Sequence, residues 1–138
     1  MRFVIEKLVR ADRQRVFDIM ANYENLDKVI PKYFPSIRVR SVRENIAIVE
    51  MHMFLANKEH IMTTKHVTKY PETHDVYVLG GHAKGSHFAE VYQKAEQGTL
   101  IKITIDYKEK FFSKFFRKSN IESEYGKMID EFAKIAEA

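Results

Sequence analysis

The 138 residues suit one domain, long enough for a real core and too short for two ordinary ones. With 45% hydrophobic and 30% charged positions, and neither a low-complexity tract nor a solenoid-period repeat, disorder and repeat arrays are excluded. The net charge of +4 sums 23 basic and 19 acidic residues interspersed along the chain, which argues against a dedicated basic tail, and the absence of cysteine excludes disulfides, zinc-thiolate sites and a cysteine nucleophile.

The chain enters directly into Phe3-Val4-Ile5, a β-rich segment running to Val9 and interrupted by Glu6 and Lys7. It is too short and too charged for a signal peptide, and no apolar run approaches membrane-spanning length, so a soluble cytoplasmic protein, one domain over 1–138, is expected. Asp12 is placed to cap a helix on which Val16, Phe17 and Met20 share a face. A second helical piece follows with Tyr23, Leu26, Val29, Ile30 and Tyr33 on one stripe, and Pro31 and Pro35 end it. From Ser36 the period becomes two, with Ile37 and Val39 alternating against Arg38 and Arg40, as in a strand with one wet face.

Between Ile46 and Glu109, turn signals at 56–58, 70–74, 80–85 and 97–98 separate five strand-like runs. Short connections pair neighbours antiparallel, so the five form a meander. The last stretch, Ser119 to Ala138, reads as one amphipathic helix about 28 Å long at about 1.5 Å per residue. Ile121, Tyr125, Met128, Phe132 and Ile135 form its apolar stripe with Ile129 and Ala136, and Ser119 with Glu122 makes a capping-box pattern. Gly126 inside it costs roughly 1 kcal/mol against alanine, which close packing against a neighbouring element could offset. Strand, two helices, six strands and a helix, with helices segregated from strands, make an α+β fold whose antiparallel sheet carries the final helix.

Register arithmetic identifies the inner face. With Gln97-Gly98 as a two-residue loop, Tyr92 opposes Ile103, Glu90 opposes Ile105 and Phe88 opposes Tyr107. The same rule at Asn57 sets Val49, Met51, Met53 and Leu55 beside His60, Met62, Thr64 and His66. Glutamate, tyrosines and histidines on an otherwise apolar face suit a lined cavity better than a solid core, because an unpaired buried polar group costs roughly 1–3 kcal/mol. The competing reading is that Glu90 pairs with a lysine, or that the register slips by one.

The order of elements and several local stretches resemble the helix-grip superfamily of START-related and birch-pollen-allergen-like proteins, the polyketide cyclase and lipid transport group. Val16-Phe17-Asp18-Ile19-Met20, Tyr23-Glu24-Asn25-Leu26 and Ile30-Pro31-Lys32-Tyr33-Phe34 are similar to its coenzyme-Q-binding branch, and Phe88, Glu90, Tyr92 and Gly98-Thr99 to its penultimate hairpin. The resemblance implies a curved seven-stranded antiparallel sheet wrapped around the C-terminal helix, with an apolar cavity between them and two short helices closing one end. It implies no single ligand and transfers no catalytic residue.

The six histidines, at 52, 60, 66, 74, 82 and 87, form no metal spacing; His60 and His66 share a face but stand about 20 Å apart at about 3.3 Å per residue. His74 and His82 fall in predicted turns and are expected to be exposed, while His60 or His66 could line the cavity. No nucleophile elbow, P-loop or dinucleotide fingerprint is present, so no cofactor and no metal is expected. The leading reading is a carrier or sensor for a hydrophobic small molecule of the lipid or isoprenoid-quinone type. Its expected binding residues are Met51, Met53, His60, Met62, Thr64, Tyr77, Phe88, Glu90, Tyr92, Ile103, Ile105, Tyr107, Tyr125, Met128 and Phe132. The alternatives are a cyclase- or dehydratase-like enzyme in which Glu90 works with Tyr77, Tyr92 or Tyr107, and a scaffold contacting a protein or ribonucleoprotein. Phe111, Phe112, Phe115 and Phe116, interleaved with lysines and an arginine between Lys108 and Lys118, read either as a packed lead-in to the last helix or as a gate touching anionic membrane during ligand exchange. Nucleic acid is the weaker partner, with no RNA-binding signature and a small charge excess.

Overall fold

The computed structural model describes residues 1–109 and 118–138. Seven strands, β1 (Arg2–Val9), β2 (Ser36–Arg43), β3 (Ile46–Leu55), β4 (Lys58–Lys69), β5 (Thr73–Gly81), β6 (His87–Ala95) and β7 (Gly98–Asp106), form one antiparallel sheet in the order β1-β7-β6-β5-β4-β3-β2. β3 through β7 make the expected five-stranded meander, β2 extends it beside β3, and β1 pairs with β7. The two edge strands are therefore the two that the helical segment joins: α1 (Arg13–Met20), a single 3-10 turn (Tyr23–Asn25) and α2 (Leu26–Val29). That segment closes one end of the concave face, and α3 (Lys118–Glu137) lies along it.

Local chemistry explains the boundaries. α2 ends at Val29 because Pro31 disfavours helical geometry at Ile30, whose φ of −143° and ψ of 63° have left the helix. Asp12 occupies the cap position of α1 with extended backbone, but its carboxylate makes no capping hydrogen bond, unlike the sequence expectation. Ala56 and Asn57, at φ 53° and 60°, form a two-residue loop of the kind that matches the twist of paired strands, and they set the expected register: Met53 faces His60, Met51 faces Met62 and Val49 faces Thr64.

The β6–β7 hairpin differs from its expected register. Its loop is Glu96 and Gln97, with Ala95 paired to Gly98, so Tyr92 faces Ile101, Glu90 faces Ile103 and Phe88 faces Ile105. Gly98 is a strand residue with φ +146°, and a Cβ there would sit 2.1 Å from the carbonyl oxygen of Val9. Its lack of a side chain serves the approach of β1's end. The pairing moves by two residues, which preserves the face, and Glu90 remains inside.

On α3, Ile121, Tyr125, Met128, Ile129, Phe132, Ala133 and Ala136 are buried. Ile135, expected in the stripe, is only partly covered. Arg15 holds the far end of the helix, donating from Nε to the Ala136 carbonyl at 2.7 Å and from Nη2 to the Ile135 and Ala138 carbonyls at 3.3 Å each. A cation there satisfies terminal carbonyls and complements the helix dipole. Among the described residues no neighbouring atom stands within 4 Å of a Cβ built on Gly126, so none of them offers the close packing that could offset the glycine cost. The side chain of Ser119 and the stretch with Phe111, Phe112, Phe115 and Phe116 lie outside the described residues.

Candidate functional site

Between the concave face and α3 lies a cavity of about 50 Å³. β3 and β4 line it with Met51, Met53 and Met62, the helical segment with Met20 and Leu26, and α3 with Tyr125, Met128, Ile129 and Phe132. Phe34, Val76 and Phe88 complete the apolar wall. Five of the chain's six methionines thus meet at one void. The polar residues of the wall, His66, His74 and Glu90, come from three adjacent strands.

These three side chains form a buried relay whose hydrogen-bond directions are fixed from one end. The Thr64 hydroxyl donates to the Val49 carbonyl at 2.9 Å, which uses its only proton. Thr64 Oγ1 must therefore accept from His66 Nε2, also at 2.9 Å. Burial, reinforced by the neighbouring His74, pushes His66 well below the ordinary histidine pKa and keeps it neutral. Its Nδ1 then carries a lone pair and accepts from His74 Nε2 at 2.8 Å, with the two rings stacked at 5.0 Å. One proton remains to be shared between His74 Nδ1 and Glu90 Oε1, 2.8 Å apart. The Tyr92 hydroxyl donates to the same oxygen at 2.6 Å. Burial and then the Glu90 charge raise the phenols of Tyr92 and Tyr125 well above the usual tyrosine value, so both keep their protons.

Glu90 is 8% exposed and inside, as the register parity required, and its partner is a histidine where the competing sequence reading had a lysine. Of the residues singled out from sequence, Met51, Met53, Met62, Phe88, Glu90, Tyr125, Met128 and Phe132 line the cavity. Thr64, Tyr92, Ile103 and Ile105 are buried behind the lining, and Thr64 and Tyr92 anchor the two ends of the relay. His60 and Tyr107 are buried away from the lining, 3.4 Å from each other. Lys58 and Glu109 form an ion pair, and Tyr107 donates to Glu109.

Two expectations are corrected together. Tyr77 is 39% exposed on the convex face, stacked on His87 at 4.3 Å, so it does not line the cavity. His74, expected to be an exposed turn residue, is fully inside on β5. Val76 and Val78 point inward, and period-two alternation carries His74 inward and Tyr77 outward with them. His82 is exposed as expected and accepts the Ile61 backbone N–H at 3.0 Å. Among the described residues no group of three or more His, Asp or Glu side chains is arranged to hold a metal ion, and no helix is long and apolar enough to cross a membrane.

No protein-family model matches the chain, and no curated protein does. Solved structures do. Protein TTHA0849 of Thermus thermophilus is 15% identical with a TM-score of 0.80, across 99% of this chain and 94% of its own. The Zhui aromatase/cyclase of Streptomyces sp. R1128 is 10% identical with a TM-score of 0.83, across 99% and 93%. Major latex-like protein 151 of Panax ginseng is 11% identical with a TM-score of 0.78, across 99% and 97%. At these identities the likeness is one of fold.

Proposed function

We propose that this chain, which has the helix-grip fold, is a binding protein that encloses a hydrophobic small molecule between its sheet and α3 without transforming it. The observation that carries this reading is an apolar void walled by five methionines, with all its histidine and carboxylate groups on one side. A core selected for packing alone would fill such a space, since protein interiors are as dense as organic crystals. The void's size constrains how a ligand enters. At about 50 Å³ it falls well below the roughly 300–1,000 Å³ of a pocket for a drug-sized ligand. A lipid or isoprenoid quinone is accommodated by displacing methionine side chains, whose three rotatable bonds and soft thioethers let them refit around different shapes. The segment with Phe111, Phe112, Phe115 and Phe116 adjoins α3 in sequence and is proposed as the place where membrane is met during exchange. Native mass spectrometry of gently purified protein, followed by organic extraction, tests the reading. A retained apolar compound is expected; finding none, together with no uptake of fluorescent lipid or quinone, contradicts it.

The buried relay favours a second reading, acid–base catalysis on an enclosed apolar substrate, in the manner of an aromatase or cyclase. A carboxylate with a histidine behind it in a mostly apolar cavity is suited to taking a proton from a bound molecule. Under this reading Glu90→Gln abolishes turnover while ligand uptake persists; under the first, no turnover exists to lose.

A further inference from the structure

The cavity wall has few hydrogen-bonding groups, and their use can be tallied. Both nitrogens of His66 are engaged, one by Thr64 and one by His74. Both nitrogens of His74 are engaged, one by His66 and one by Glu90. Neither ring has an N–H left for a guest. On Glu90, His74 and Tyr92 both bond to Oε1, and Oε2 has no hydrogen-bonding partner among the described residues. The lining residues with hydrogen-bonding capacity beyond these contacts are thus Glu90, through the acceptor Oε2, and Tyr125, through its hydroxyl.

Charge narrows the choice further. Wherever the shared proton lies, on His74 Nδ1 or on Glu90, the pair is neutral as a whole. A bound ammonium would be a buried cation without a counter-charge, and a bound carboxylate would face Oε2 lone pair to lone pair; both are costly in an apolar enclosure. A group that only accepts hydrogen bonds leaves Oε2 unpaired.

The geometry points to a neutral hydroxyl, an alcohol or phenol carried on an apolar skeleton, as the group this cavity recognises, donating its proton to Glu90 Oε2 with Tyr125 beside it. This inference rests on the binding reading above and narrows its ligand. Among quinone-type ligands, the reduced, hydroxyl-bearing form meets the requirement and the oxidised form does not.

The test is calorimetric titration of the unmodified protein at pH 7.5 with four compounds on one ring system: 2-naphthol, 2-methoxynaphthalene, 2-naphthoate and 2-naphthylmethylammonium. The naphthol is expected to bind roughly 2- to 150-fold more tightly than its methyl ether, the span of one hydrogen bond to a neutral or a charged acceptor, and more tightly than either ion. Binding of the ether at equal strength, or stronger binding of either ion, overturns the inference and leaves the binding reading standing. Failure of all four to bind overturns the binding reading and the inference with it. Glu90→Gln adds a donor beside the acceptor, so the preference for naphthol over the ether is expected to shrink. An unchanged preference in the folded variant would remove Glu90 from the assignment, and the wild-type series decides the matter if that variant does not fold.

Discussion

Removing the carboxylate at the centre of the relay is the sharpest perturbation the structure offers. In Glu90→Ala the Tyr92 hydroxyl loses its acceptor and His74 Nδ1 its partner, at sites 1% and 2% exposed. Breaking a buried pair from one side costs about 3–5 kcal/mol, a large share of the roughly 5–15 kcal/mol that stabilises a domain. Tyr92→Phe removes one donor to a charged acceptor and costs about 1.5–3 kcal/mol. In the double variant the phenylalanine has no hydrogen bond left to lose, so the two losses do not add, and a coupling of about 1.5–3 kcal/mol is expected. Urea unfolding of the four proteins at pH 7.5, with far-UV circular dichroism to confirm that each is folded, measures it. Additivity within about 0.5 kcal/mol, or a Glu90→Ala loss near zero, would refute the relay as drawn.

Other outcomes follow from single features. His66 is held neutral by burial and by His74, so its folded pKa lies below the roughly 6.5 of an unfolded histidine. Below about pH 6.5 the unfolded chain binds the extra proton, so stability is intact above that pH and lost as pH falls towards the folded pKa, by up to about 1.4 kcal/mol per pH unit. His66→Gln should flatten the pH dependence of the urea midpoint between pH 7.5 and 5.5, and an unchanged slope would contradict the assignment. Gly126→Ala, with no atom of the other described residues within 4 Å of its methyl group, should raise stability by up to about 1 kcal/mol, read as a higher midpoint. Gly98→Ala, whose Cβ would meet the Val9 carbonyl oxygen at 2.1 Å, should do the opposite and lower stability by at least about 2 kcal/mol; a smaller loss would mean that β1 and the β6–β7 hairpin can separate cheaply.

The fold was legible because each level of the sequence agreed with the next. The meander came from turn chemistry, the α3 stripe from helical spacing, and the inward Glu90 from a parity that survived a two-residue error in register. The apolar half of the site was equally readable, since Met51, Met53 and Met62 alternate along β3 and β4. The polar half was readable only in part: Thr64, His66, Glu90 and Tyr92 fall on the inner face by parity, but His74, which joins His66 to Glu90, does not emerge. Tyr70-Pro71-Glu72 marks a turn, and the polar Thr73 and His74 continue its composition although β5 has already begun there. Reading inward from Val76 and Val78 would have placed His74 beside Glu90 and sent Tyr77 outside. Met20, Leu26 and Phe34 line the cavity from the helical segment. Their periodicity gave helices and an end-cap, but only the folded path of the chain brings that segment's apolar face against α3 and the sheet.

The central claim, that the methionine-walled void takes a guest, is open to one direct measurement. With [13C]methyl-labelled methionine, the ε-methyl resonances of Met20, Met51, Met53, Met62 and Met128 report the cavity, and Met1, which does not line it, serves as an internal reference. Titration with 2-naphthol should move or broaden the five cavity resonances together, saturating at one equivalent, and leave Met1 in place. Five unmoved resonances, or shifts confined to Met1 and growing without saturation, would mean that the space between sheet and helix admits nothing.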